Sequence, residues 1–174
     1  MRKSRPVTGI DIEIDKLTNS IELVATGDVF NTIVTRATVA DKRLIKRKEW
    51  QFDWHRESAN VDREVYRLMV ENNPDIIQGL VCFEDKGDHL YMHLIESAAF
   101  NRGGSKTYLG VPGNLVAHGC RLSFDRGYDG FLAFTAKTAL VEHYRKELGA
   151  TVIRGTLMHL NSTAARKLVD RYKL

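Results

Sequence analysis

The segment Tyr108–Leu115 constrains the fold more than any other part of this chain. It follows residues with a strand pattern, precedes residues with a helix pattern, and contains Gly110, Pro112 and Gly113. A glycine turn at such a junction points the first N–H groups of the helix, and the positive end of its dipole, at one place. An anion such as phosphate can bind there without side chains. The pattern therefore predicts a phosphate site, although a plain turn that needs glycine for close packing would have the same sequence.

The N–H groups expected to face the phosphate belong to Val111, Gly113, Asn114 and Leu115. Pro112 has no N–H and removes one donor, but its fixed φ suits the first turn of a helix. The turn therefore has fewer donors for its anion than a turn without proline.

The composition is that of a soluble globular domain, since 43% of the 174 residues are apolar and 28% are charged. No apolar run reaches the roughly 18 residues that a membrane span needs. The basic start Met1–Arg5 is not followed by the apolar stretch of a secretory signal. We therefore expect a cytoplasmic protein with no membrane partner, in which residues 1–9 form a basic tail and residues 10–174 a single domain.

The net charge of +4 is modest and spread along the chain. Nucleic acid is an unlikely partner because no RNP motif or basic recognition helix is present, and the basic stretch Lys42–Lys48 is more typical of a solvated helix face. Cys82 and Cys120 lie in apolar or helical contexts and are predicted to be buried thiols. No Cys/His spacing typical of a metal site occurs, so no metal is expected.

The patterns predict helices, then an antiparallel meander, then alternating helices and strands. Ile10–Ile14 alternates like a short strand, and residues 17–38 are ambiguous. One or two amphipathic helices are predicted in 40–57, with Trp50 and Trp54 packed on a core. The later predicted strands are Val65–Val70, Ile76–Phe83, His89–Ile95, Phe131–Phe134 and Thr151–Leu160, and the later predicted helices are 114–126, 138–148 and 161–172. The strand–helix–strand step between 90 and 134 predicts one parallel pair in a mixed sheet.

Two motifs carry a resemblance to a known family. The turn Gly110–Leu115 is followed by a second strand and a second helix, which ends in Tyr144–Gly149. Their order and spacing resemble the GNAT superfamily of acetyl-CoA-dependent N-acetyltransferases, within it an uncharacterised bacterial branch, over roughly residues 60–160. The sequence departs from the family's usual turn, which opens with Arg or Gln, because Thr107 or Tyr108 stands at that place.

The resemblance implies an α/β (α+β) fold with a mixed, mostly antiparallel sheet, splayed central strands and flanking helices. The splayed strands would be His89–Ile95 and Phe131–Phe134. The pantetheine arm of acetyl-CoA would lie between them, and its pyrophosphate would bind to the turn 110–114.

The resemblance also implies roles for single residues. Backbone amides near Ile95 and Ser97 would polarise the thioester carbonyl. Lys137 would reach a CoA phosphate or face solvent. Glu96 would accept the proton of an amine as general base, and Tyr144 would protonate the departing thiolate.

The implied function is direct transfer of an acetyl group from acetyl-CoA to an amine acceptor, a small molecule or a protein, in a ternary complex. His93 is a weaker candidate for the base, and Arg102 and Lys106 flank the turn where they could pair with phosphates. The alternative is a non-catalytic module of the same fold that binds CoA or a partner. A homodimer is compatible with either function.

Overall fold

The computed structural model of the protein describes residues 9–17 and 20–172. The strands are β1 (Ile21–Leu23), β2 (Val29–Phe30), β3 (Thr32–Arg36), β4 (Glu64–Val70), β5 (Asn73–Asp85), β6 (Leu90–Ser97), β7 (Tyr108–Leu109), β8 (Leu132–Thr135), β9 (Thr151–Arg154) and β10 (Leu157–Leu160). The α-helices are α1 (Trp54–Ala59), α2 (Val111–Asp125), α3 (Val141–Leu148) and α4 (Ser162–Tyr172). Short 3-10 helices occur at Val39–Arg43, Arg47–Glu49, Ala99–Asn101 and Thr138–Leu140.

Seven of the strands form one sheet in the order β3–β4–β5–β6–β8–β10–β9. Neighbouring strands are antiparallel except β6 and β8, which are parallel and are connected through α2. The sheet is flanked by helices. This is the mixed, mostly antiparallel α+β architecture predicted from the sequence.

The meander β4–β5–β6 confirms the three strands predicted there. β5 begins earlier than predicted, at Asn73, because the turn after β4 needs only Glu71 and Asn72. The prediction of one strand over Thr151–Leu160 is wrong, since the segment is a hairpin of β9 and β10. Gly155 turns the chain there with a φ of +56°, which glycine adopts without a steric penalty.

The segment before β4 contains less helix than predicted. Residues 39–53 form 3-10 turns and extended chain, and only the six residues of α1 are α-helical. The backbone N–H groups of Gln51 and Phe52 donate to the Glu96 carboxylate, a tertiary contact that holds this stretch out of a helix. Trp50 and Trp54 are 4% and 1% exposed, which confirms their packing role. They belong to a second buried cluster, with Leu80 and Cys82 among its members, that we call the tryptophan core.

A β-bulge in β6 shapes the middle of the sheet. Cys82 and Phe83 are consecutive on β5 but pair with Leu94 and Met92, so His93 is an extra residue on β6. A bulge bends its strand and increases the local twist. The parallel pairing of β6 with β8 stops at Met92, immediately before the bulge. The two strands therefore diverge from this point, as the predicted splay requires.

The start of the described chain is packed against the domain. Residues 1–8 of the predicted tail lie outside the described residues, but Gly9 does not belong to a loose tail. A Cβ on Gly9 would lie 3.0 Å from backbone atoms of Ala136 and Lys137. The predicted strand Ile10–Ile14 makes a single bridge, between Ile10 and Ala136, and is otherwise extended chain. Among the residues described, no helix has the length and apolar character to span a membrane.

Candidate functional site: a cleft between two diverging strands

The cleft opens where β6 and β8 separate. Ala98 donates its N–H to Gln78 on β5, and in an antiparallel ladder successive residues direct their N–H and C=O groups to alternate sides. The N–H groups of Ile95 and Ser97 therefore point away from β5, toward the cleft. These are the two strand-edge amides that the sequence analysis named.

A cavity of about 480 Å³ lies at this end of β6. Ile95, Glu96 and Ser97 form one wall, and residues 11–13 face them from the other side. Pro112, at the start of α2, also lines the cavity. The cavity therefore reaches from the open edge of β6 to the glycine turn.

The glycine turn caps α2 in the predicted way. Gly110 is the N-cap, with a φ of +94° that lies in the left-handed region. Val111 and Gly113 are the first- and third-position residues of the helix, where an N–H has no acceptor one turn earlier. The Asn114 N–H donates to the Gly110 carbonyl at 3.1 Å, so it is already used within the helix.

Two predicted phosphate contacts therefore do not fit the structure. The Asn114 side chain donates to the Thr32 hydroxyl at 3.2 Å, and its backbone N–H is taken by the helix. Leu115 is fully buried in the main core, and its position in the second turn of the helix gives its N–H a helical acceptor. The sequence suggested both because it predicted a helix that begins at Asn114, three residues after the actual start of α2 at Val111.

Gly113 has a packing role that the sequence could not separate from a phosphate role. A Cβ at this position would collide with the hydroxyl of Tyr172 on α4 and would lie 2.8 Å from a methyl carbon of Leu17. The glycine is therefore needed for close approach of α2 to α4. Its N–H still belongs to the first turn of the helix.

A carboxylate of the chain itself, that of Asp15, lies at the start of α2. The Asp15 carboxylate accepts the Gly110 N–H at 3.1 Å and pairs with the Lys106 ammonium at 2.9 Å. The Asp15 side chain is only 11% exposed. Asp15 was not among the residues predicted from the sequence. The available signal was an acidic residue directly after the alternating stretch Ile10–Ile14.

Asp15 belongs to an extended segment, residues 9–17, that we call the N-terminal strap. Ile10 donates its N–H to Thr135 at 2.7 Å and accepts the Lys137 N–H at 2.9 Å. The strap therefore pairs with the end of β8 on the side that faces the cleft. Ile10 and Ile14 are 5% and 4% exposed and are part of the main core.

Tyr144, the predicted proton donor, lies against the strap residue Ile12; Ile12 lines the cavity, and Tyr144 does not. Its hydroxyl donates to the Ile12 carbonyl at 2.5 Å, and its side chain is 1% exposed. Burial raises the pKa of Tyr144, and the nearby carboxylates Asp11 and Glu13 raise it further. The next residue toward the N-terminus of α3, His143, accepts the Ile14 N–H on Nε2 at 2.8 Å.

Glu96, the predicted general base, is 3% exposed and faces the tryptophan core. Its carboxylate accepts the N–H groups of Gln51 at 2.7 Å and Phe52 at 3.1 Å, and the indole N–H of Trp54 at 2.9 Å. The guanidinium of Arg102 lies 3.7 Å away. The carboxylate thus lines the cavity while it holds the chain around residues 51–54 in place.

Two other predicted residues lie away from the cavity. The Lys137 side chain is exposed, and only its backbone contacts the strap. His93 pairs through Nε2 with the Glu84 carboxylate at 3.0 Å and also contacts Arg63, and burial lowers its pKa. His93 does not line the cavity, so its candidacy as the base has no geometric support.

The described residues contain no group of three His, Cys, Asp or Glu side chains that could hold a metal ion. Cys82 and Cys120 are buried free thiols, as predicted. Burial raises the pKa of Cys120 to about 12, so this thiol is protonated at neutral pH.

No protein-family model and no curated protein matches this chain. Among solved structures, the chain is similar to a protein named as a streptothricin acetyltransferase from Bacillus anthracis str. Ames, in complex with acetyl coenzyme A. The identity is 9% and the TM-score 0.47, over 74% of this chain and 95% of that chain. A nourseothricin acetyltransferase has a TM-score of 0.47 and 15% identity over the same shares. At these identities and scores, neither likeness assigns a role to any residue of this chain.

Proposed function

We propose that this protein is an acyl-CoA-dependent acyltransferase that moves an acetyl group to an amine. The observation that carries the proposal is the continuity of the cleft. An open strand edge at Ile95 and Ser97 leads to the start of α2, where Gly110 donates its N–H to a carboxylate. An extended ligand with amide groups and an anionic end matches this surface. Acetyl-CoA combines the two in its pantetheine arm and its pyrophosphate.

In this proposal the backbone supplies most of the ligand contacts. The N–H groups of Ile95 and Ser97 polarise the thioester carbonyl and stabilise the negative charge that develops on its oxygen. The N–H groups of Val111 and Gly113 bind the pyrophosphate. The Lys106 ammonium, next to the same helix end, adds positive charge.

Tyr144 is proposed to protonate the CoA thiolate as it leaves. The raised pKa of Tyr144 keeps the phenol protonated at neutral pH, which a proton donor requires. Asp11 and Glu13, which contribute to this raised pKa, are both residues of the strap. Movement of the strap away from α3 would lower the pKa of Tyr144 and favour proton transfer.

Glu96 is proposed as the proton acceptor for the amine, with one condition that follows from its contacts. Its carboxylate already accepts three N–H groups. An amine in the cavity would take the remaining lone-pair position, on Oε2, which among the described residues accepts only the N–H of Gln51 at the cavity wall. Glu96 therefore also positions the 51–54 segment, and both roles depend on the same carboxylate.

A second candidate function is a non-catalytic module that binds CoA or a protein through the same cleft. One observation favours it: both proposed catalytic side chains are committed to partners within the protein, Tyr144 to Ile12 and Glu96 to the 51–54 segment. The enzyme and a CoA-binding module differ in turnover but agree in CoA binding, whereas a protein-binding module need not bind CoA.

Titration calorimetry with acetyl-CoA, CoA and S-acetylpantetheine tests the proposed function. We expect acetyl-CoA and CoA to bind below millimolar concentration and S-acetylpantetheine, which has no pyrophosphate, to bind more weakly. Binding also raises the melting midpoint by mass action. Release of the CoA thiol in the presence of an amine panel then separates the enzyme from the module. Absence of acetyl-CoA binding to the wild type and to the Asp15→Asn variant described below would contradict the acyltransferase and the CoA-binding module, and would leave only a module that binds a protein.

A further inference from the structure

We propose that the N-terminal strap, residues 9–17, is an intramolecular competitor of acyl-CoA and leaves the cleft when acyl-CoA binds. This inference rests on the proposed function, because it assigns a regulatory element to the same site. It follows from three contacts of the strap, each of which occupies a group that the ligand needs.

The first contact is the strand edge of β8. Ile10 exchanges two backbone hydrogen bonds with this edge, one to Thr135 at 2.7 Å and one from Lys137 at 2.9 Å. The bridge of Ile10 with Ala136 is parallel, as a further strand between β8 and β6 would be. A pantetheine arm lying between the diverging strands would need the space that Ile10 and Ile12 now fill.

The second contact is the start of α2. The Asp15 carboxylate accepts the Gly110 N–H and pairs with Lys106, so a negative group of the strap lies where the pyrophosphate is proposed to bind. Two anions cannot share this position without strong repulsion. The strap therefore excludes the phosphate end of the ligand by charge as well as by space.

The third contact is the hydroxyl of Tyr144. It donates to the Ile12 carbonyl, and the neighbouring His143 ring accepts the Ile14 N–H. With these bonds in place the phenol is directed at the strap. Departure of the strap frees the hydroxyl, so one movement opens the cleft and makes the proposed proton donor available.

With competition of this kind, the apparent affinity of the ligand equals its affinity for the open cleft multiplied by the fraction of molecules in which the strap is displaced. Any substitution that weakens the strap without touching the rest of the cleft should therefore tighten ligand binding. Asp15→Asn fits this requirement, because it removes the charge that pairs with Lys106 but keeps the side-chain size. Asp28→Asn is the matched control, since Asp28 is exposed at the β1–β2 turn and the net charge changes equally.

The experiment measures the dissociation constant of CoA by titration calorimetry for full-length wild type, Asp15→Asn and Asp28→Asn. We expect Asp15→Asn to bind CoA about tenfold more tightly than wild type and Asp28→Asn to bind like wild type. A second release variant, Ile10→Pro, removes the N–H that pairs with Thr135 and should shift the affinity in the same direction. Hydrogen exchange on the wild type provides an independent readout, since saturating CoA should speed exchange of the Ile10 and Ile14 amides.

Equal CoA affinity of the wild type and both release variants would overturn the strap inference and leave the proposed function intact. Slow exchange of the Ile10 and Ile14 amides at saturating CoA would do the same, because the ligand would then bind beside the strap. No CoA binding to any of the four proteins would overturn the proposed function, and the strap inference with it.

Discussion

The hydroxyl of Tyr144 donates a hydrogen bond to the carbonyl of Ile12, 132 residues earlier in the chain, at 2.5 Å. This bond joins the helix α3 to the strap beside the end of β8. The direction of the Tyr144 hydroxyl, the proposed proton donor, therefore depends on the position of the strap. The same hydrogen bond therefore bears on both the proposed proton transfer and the proposed competition of the strap with acyl-CoA.

Tyr144→Phe should separate the two roles of this tyrosine. Removal of the hydroxyl costs the hydrogen bond to Ile12, about 1 kcal/mol of unfolding free energy. The looser strap leaves CoA affinity equal to that of the wild type or higher, whereas turnover falls by about 100-fold without the proton donor. Urea unfolding, calorimetry and thiol release measure the three quantities. Wild-type turnover in this variant would remove Tyr144 from the mechanism.

Glu96→Gln should lower both stability and turnover. The amide presents an NH2 group in place of one carboxylate oxygen, so at least one of the three N–H donors from 51–54 loses its acceptor in a buried place. We expect a loss of about 2 kcal/mol in unfolding free energy. Glu142→Gln is the control, because the side chain of Glu142 is 78% exposed and its change should have little effect. Urea unfolding measures the midpoint of both variants. A midpoint of Glu96→Gln equal to that of the wild type and of Glu142→Gln would refute the positioning role.

Gly113→Ala should destabilise the protein although alanine is the better helix former. The new methyl group collides with the Tyr172 hydroxyl and crowds Leu17, and overpacking of this kind costs about 1–3 kcal/mol. Tyr172→Phe in the same chain should restore part of the loss, because it removes the hydroxyl but not the contact with Leu17. A double-mutant cycle by urea unfolding measures the coupling. Gly104→Ala, where an added Cβ meets nothing within 4 Å, serves as control.

His118 should make the protein less stable in mild acid. Burial lowers its pKa from 6.5 to about 4, and its ring packs on Tyr66 with no hydrogen-bond partner for Nε2 among the described residues. Between about pH 6.5 and 4 the unfolded chain binds a proton at this residue that the folded chain does not, so the free energy of unfolding falls as pH falls. The total loss is about 3 kcal/mol. Urea unfolding of wild type and His118→Leu across this range should show a flatter pH dependence for the variant, and parallel curves would contradict the assignment.

Local patterns predicted the central part of the fold well. The meander β4–β5–β6 and the helices α2, α3 and α4 have apolar patterns and clear turn residues that local sequence shows. The helices α3 and α4 bury one face, whereas most of the meander and the first two turns of α2 are buried on both sides. The segment 39–53 was predicted poorly, because its conformation depends on the carboxylate of Glu96, which lies more than 40 residues later. A tertiary contact of this kind leaves no local periodicity.

The candidate site, too, could be predicted only where its geometry depends on local sequence. The turn at Gly110 could be placed from local sequence, because it belongs to a recognisable strand–helix junction, whereas the role of the strand edge at Ile95 and Ser97 was implied only by the family resemblance. The strap could not be placed, since the alternation of Ile10–Ile14 predicts a strand without indicating its neighbour. Its neighbour is the end of β8, some 125 residues away in a gap that exists only once β6 and β8 diverge.

The position of the strap also orders events during synthesis. Residues 9–17 are synthesised before the segments that they contact, which include the start of α2, the end of β8, α3 and Arg171 of α4, so their groove is complete only after residue 171. Contacts of such long sequence separation form late, because loop closure must precede them. The strap therefore docks late, and until then Ile10 and Ile14 are exposed to water beside a vacant cleft. During synthesis the cleft is thus open before the strap occupies it.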